Sequence, residues 1–104
     1  EATATPARPT VPALHHAMHQ AQQQAEAVHA QAAPKLETID DDRDRIDRES
    51  PTLLVVEDDP RFAAVMRDTA RSRGFNVLVT NRGADAPRLV REFRPDAISL
   101  DIFL

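Results

Sequence analysis

The sequence predicts an α/β fold: part of a doubly wound parallel sheet, built strand-helix-strand-helix-strand and preceded by a helical or disordered linker. Three observations predict it. The hydrophobic period changes near residue 51, short apolar runs then alternate with amphipathic stripes, and two of those runs end in carboxylates.

Composition narrows the function before any motif does. The chain has 104 residues and a formal charge of -4, room for at most one modest domain. Residues 1 to 50 hold five basic and nine acidic side chains and residues 51 to 104 hold eight of each, so the negative charge belongs to the first half. No basic face forms, which argues against nucleic-acid binding through phosphate contacts in this segment. The absence of cysteine excludes disulfides and thiolate metal sites. No stretch approaches the ~18 apolar residues of a membrane helix, so no membrane contact is expected and a cytoplasmic location is. The chain opens on Glu1 rather than Met, as expected of a piece of a longer protein.

Residues 1–50 read as linker. Three prolines among residues 1 to 13 favour extended chain. A helix is expected over 11–33, closed by Pro34, because this stretch is rich in Ala, Gln and His and lacks Gly. Leu14, Met18, Ala21, Ala25, Val28 and Ala32 alternate four and three apart, an a/d seam of mostly small residues. So small a seam points to a solvated helix, with a weak dimer through 14–32 or an intramolecular contact as the alternative. His15 and His19 share a helical face, yet with no acidic or Cys partner they read as exposed polar residues, like His16 and His29. The run Asp40-Asp41-Asp42-Arg43-Asp44-Arg45 reads as a solvated connector, with Ile39 and Ile46 able to dock it on a neighbouring domain.

The fold proper is expected over 51–104. Leu53 to Val56 is a continuous apolar run, suited to a strand buried on both faces. Asp59-Pro60 then supplies a helix N-cap and a first-turn proline. Phe62, Val65, Met66, Thr69 and Ala70 form the helix's apolar stripe, and Gly74 its left-handed end. Phe75, Val77 and Val79 alternate with Asn76 and Thr80, a strand nearer the sheet's edge. Asn81-Arg82-Gly83 marks a turn. Ala86, Leu89, Val90 and Phe93 line a second helix, with Pro87 tolerated in its first turn and Arg94-Pro95 closing it. Ala97 to Leu100 is the third strand. If it pairs with the first strand on the side away from the second, the order is 2-1-3, and right-handed crossovers put the helices on opposite faces.

That order creates a crevice beyond the ends of strands one and three, where α/β sheets bind ligands. Into it project Glu57, Asp58 and Asp101. Three carboxylates so close raise one another's pKa unless a cation sits among them. An all-oxygen set suits Mg²⁺. An aspartate can itself attack phosphorus and form an acyl phosphate, so phosphoryl chemistry is the leading reading. Asp59 is set aside as a cap.

These residues resemble a known family. Thr52-Leu53-Leu54-Val55-Val56-Glu57-Asp58-Asp59, the helix from Pro60, Gly74-Phe75 and Pro95-Asp96-Ala97-Ile98-Ser99-Leu100-Asp101-Ile102 look like the N-terminal half of a response-regulator receiver domain. The resemblance implies a flavodoxin-like sheet. It implies that Asp101 accepts a phosphoryl group from a histidine kinase or a histidine phosphotransfer domain. It further implies that Asp58 and Asp101 ligate Mg²⁺ directly, that Glu57 acts through water, and that the backbone carbonyl of Phe103 completes the shell. A long linker carrying Asp41-Asp42-Arg43 before the first strand is similar to receivers appended to hybrid sensor histidine kinases.

The family also uses a Ser or Thr after strand four and a Lys after strand five. The only lysine here is Lys35, in the linker, so 51–104 is expected to be the first three strands and two helices of a receiver, holding metal weakly and lacking the switch. A bare third strand followed by Ile102, Phe103 and Leu104 is expected to favour aggregation. Phe103, beside the line of water attack, is expected to prolong the acyl phosphate. A haloacid-dehalogenase-type site would need an aspartate where Phe103 stands, and a nucleotide site would need a glycine-rich loop in place of Glu57-Asp58-Asp59-Pro60. The alternative of a different class is a non-phosphorylated, receiver-like interaction module with a dimerising linker helix.

Overall fold

The computed structural model describes residues 8–28 and 39–101, with side chains through residue 23 of the first stretch. Its elements are helix α1 (Val11–Val28), strand β1 (Thr52–Val56), helix α2 (Pro60–Ser72), strand β2 (Asn76–Thr80), a 3₁₀ turn (Gly83–Asp85), helix α3 (Ala86–Phe93) and strand β3 (Ala97–Leu100). The strands form one parallel sheet in the order β2-β1-β3. This is the expected α/β fold, a partial flavodoxin-like arrangement.

Strand β1 is central and every residue in it is buried, which explains its unbroken run of Leu and Val. Two apolar layers sandwich the sheet. Leu53, Val55, Val77 and Val79 face Ala63, Met66 and Ala70 of α2, while Leu54, Val56 and Leu78 face Leu89 of α3. Asp59 caps α2 by accepting the Arg61 N–H at 2.9 Å, and Pro60 opens that helix as expected. Gly74 ends it at φ +89°, where an added Cβ would also lie 2.9 Å from Cγ of Pro9. Helix α3 has the eight residues that its apolar stripe spans, and a 3₁₀ turn takes the three before it. Arg94 closes it in a left-handed conformation at φ 48°.

Two expectations are corrected. Helix α1 is not a solvated spacer. Leu14, Ala17, Met18 and Ala21 are buried, and Leu14 and Met18 join the cluster beneath α2. The small seam residues allow a close approach, so a narrow stripe suffices. The seam's first three residues are therefore buried within this chain. His15, His16 and His19 are exposed. The expected helix over 29–33, with His29 and Ala32, and its end at Pro34 lie outside the described residues, as do the side chains of Ala25 and Val28.

Nor is the acidic run a solvated connector. Asp42 is buried, and residues 39–50 lie along the outer edge of β2. Ile39 packs into the α2-side cluster and Ile46 into the α3-side cluster, so both isoleucines dock, on opposite faces of the same sheet. This cover is why all five residues of β2 are buried although it is a lateral strand whose alternation suggested a half-exposed one. At the other edge, Ile98 and Leu100 of β3 are exposed.

Candidate metal and phosphoacceptor site

The site is assembled by strand register. Val56 pairs with Thr80 on one side and Leu100 on the other, so the residues that follow β1 and β3 emerge together. Backbone hydrogen bonds extend that register one step. The Glu57 N–H donates to the Thr80 carbonyl at 2.9 Å, and the Asp101 N–H donates to the Val56 carbonyl at 3.1 Å. A carboxylate oxygen from each of Glu57, Asp58 and Asp101 lies within 4.8 Å of the other two. The expected trio is thus brought together.

Their environments differ. Glu57 is buried, Asp101 half-buried and Asp58 exposed. Burial pushes the Glu57 carboxyl up to about 7, with a shared hydrogen bond to Asp101 and repulsion from Asp101 and Asp58 adding to it. The Asp59 N–H, donating to Glu57 Oε2 at 3.2 Å, works the other way. A carboxyl half-protonated near neutrality beside two more is a place where a hard cation can replace a proton. The donor set fits Mg²⁺: three oxygens, one of them exposed and open to waters. The fourth expected ligand, the carbonyl of Phe103, lies outside the described residues.

A cleft of about 410 Å³ adjoins the trio, lined by Glu57, Asp58, Thr80 and Asn81 on one side and Asp40, Asp41, Arg43 and Arg45 on the other. The connector's part in walling this cleft is nearly silent in the sequence. The sequence held one signal for it, Ile39 and Ile46 flanking the charged run.

Comparison with known proteins agrees with the geometry. The chain is 42% identical over 52 residues to the DNA-binding response regulator MtrA of Mycolicibacterium smegmatis, covering 50% of this chain and 23% of that protein. Its homologues are response regulators. What they match here is a receiver domain. The transcriptional regulatory protein PrrA of Mycobacterium tuberculosis is 47% identical over 53 residues, 51% of this chain and 23% of its own length. MtrA of the same organism is 40% identical over 52 residues, again 50% and 23%. The chain therefore spans about a quarter of the length of these relatives. No family model matches the chain, and no solved structure matches it. Among the described residues, no helix is long and apolar enough to cross a membrane. Two-component signalling is the setting these relatives share.

Proposed function

We propose that this chain is the phosphoacceptor part of a receiver domain, in which Asp101 takes a phosphoryl group from a phosphohistidine on a histidine kinase or histidine phosphotransfer domain in the cytoplasm. The observation that carries this reading is the trio: three carboxylates from two strand ends within 4.8 Å. In the transfer, an oxygen of Asp101 forms a bond to phosphorus while the phosphorus–nitrogen bond breaks. The imidazole nitrogen leaves with that electron pair and takes up a proton. Asp58 and Asp101 would hold Mg²⁺ directly, Glu57 through water and Phe103 through its carbonyl. Once bound, Mg²⁺ offsets negative charge on the phosphoryl oxygens. Burial and its hydrogen bonds keep Glu57 fixed behind the other two carboxylates, and Asp59, engaged in capping α2, stays out of the site. The parent is proposed to be a hybrid sensor kinase, with residues 1–50 leading into the receiver.

Labelling by a small acyl phosphate tests this on a protein carrying the whole receiver domain. Incorporation labile to alkali and hydroxylamine should require Mg²⁺ and vanish in Asp101→Asn. Incorporation that survives in Asp101→Asn would move the acceptor to another residue, and none in the parent would instead support a receiver-like interaction module that works without phosphate.

A further inference from the structure

The outer edge of β2 is closed by something other than a strand. Asn76–Thr80 reads Asn-Val-Leu-Val-Thr, an uncharged and largely β-branched segment. Such a segment at a sheet edge is a ready template for another chain. The Val77 N–H donates to Asp42 Oδ2 and the Val79 N–H to Asp41 Oδ2, each at 2.9 Å. In return the Asp42 N–H donates to the Val77 carbonyl at 2.8 Å, and Arg43 Nη2 donates to the Val79 carbonyl at 3.2 Å. At the strand's start, the Asn76 side chain accepts the Asp47 N–H at 2.9 Å and donates to the Asp47 carbonyl at 2.8 Å. Consecutive aspartates thus stand in for the carbonyls of an absent neighbouring strand. Arginines hold them there. Arg71 of α2 reaches Asp42 Oδ1 at 2.8 Å, and Arg43 reaches Asp41 Oδ2 at 2.8 Å. Ile39 and Ile46 pin the segment to the two faces of the sheet.

We propose that residues 39–50 are a strap that closes the β2 edge against antiparallel pairing with a second copy of this chain. The strand itself names that occupant. It is nearly symmetric about Leu78, so antiparallel pairing centred there sets Val77 opposite Val79 of the second copy, the two residues the strap now engages. No charge on β2 opposes that pairing. The strap's acceptors are side chains tied to arginines, so the strap can let go without unfolding β1 or α2.

Amide hydrogen exchange over a dilution series of the whole chain tests this, comparing the parent with an Asp41→Ala/Asp42→Ala variant. In the variant, Val77 and Val79 amides should exchange at least tenfold faster at low concentration and regain protection at high concentration as the mass rises to that of a dimer. Leu54 and Val55 amides in β1 should stay protected throughout. Unchanged protection of Val77 and Val79 would overturn the strap. Lost protection with a monomeric mass at every concentration would overturn the pairing with a second copy. If β1 amides also open, the double variant Arg45→Gln/Arg71→Gln decides, since it removes both arginines from Asp42 and leaves Asp41 to Arg43. It should speed exchange at Val77 more than at Val79, and equal or absent effects would overturn the proposal.

Discussion

Two acidic clusters lie on either side of one cleft and behave in opposite ways. In the connector, Arg43 beside Asp41 holds its carboxyl below the usual range, against the raising effect of burial, helped by the Val79 N–H. At the strand ends, burial and neighbouring carboxyls push Glu57 up to about 7. Both clusters are dense and both are partly buried. The difference lies in what surrounds each carboxyl. The connector acids pair with arginines of the chain itself, which makes them structural, whereas Glu57 is raised by burial first and then by the carboxyls beside it. A run of aspartates thus says little about function until its cations are located.

The contrast can be broken most directly at Asp42. Replacing it by Ala strands a buried Val77 N–H and removes the closer of two carboxylate partners of Arg71, and should cost about 3 kcal/mol in urea unfolding. Asp58→Ala should leave the midpoint unchanged or raise it in metal-free buffer, because it removes a repulsion. Equal losses at the two sites would erase the distinction.

The next effect is pH-dependent. Because Glu57's folded value is raised, its stabilising contribution is complete below about 4.5, the ordinary value, and is lost as pH rises through about 7. The metal-free chain should lose roughly 2 kcal/mol between pH 4.5 and 8 from this group, a figure discounted for solvent access to the cluster. Thermal melts across that range should flatten in Glu57→Gln. A slope that persists there would assign the effect elsewhere.

Mg²⁺ sharpens the same point. It competes with the proton, so it should raise the melting temperature more at pH 8 than at pH 6, the stabilisation at ten times its dissociation constant being about 1.4 kcal/mol. Asp58→Asn should remove that gain, and the connector variant Arg43→Gln should retain it. The smallest effect is expected at Asp40, whose ion pairs with Arg45 and Arg71 are solvent-exposed, so Asp40→Asn should melt with the parent.

The sheet, its order and the acidic trio were legible because each rests on local pattern: an apolar run for β1, a cap and stripe for α2, carboxylates just past two strand ends. The connector was not. Asp41 and Asp42 find their partners at Val79 and Val77, far along the chain, and a mixed-charge run looks the same whether water or a strand edge takes its hydrogen bonds. The packing of helix α1 is hidden in the sequence for a related reason. Ala17 and Ala21 offer little area by themselves, and their value lies in the close approach to the core that small side chains permit.

That packing of α1 sets an order of events during synthesis. Leu14 and Met18 leave the ribosome first, yet the surfaces that bury them, Leu53 and Met66, are made only after a further stretch of chain, and Ala97 later still. At ribosomal rates of about 5–20 residues per second, the helix waits seconds with its apolar stripe bare. The first-made element of the described chain is thus among the last to be covered, and a chaperone that binds nascent apolar helices would meet it in that interval.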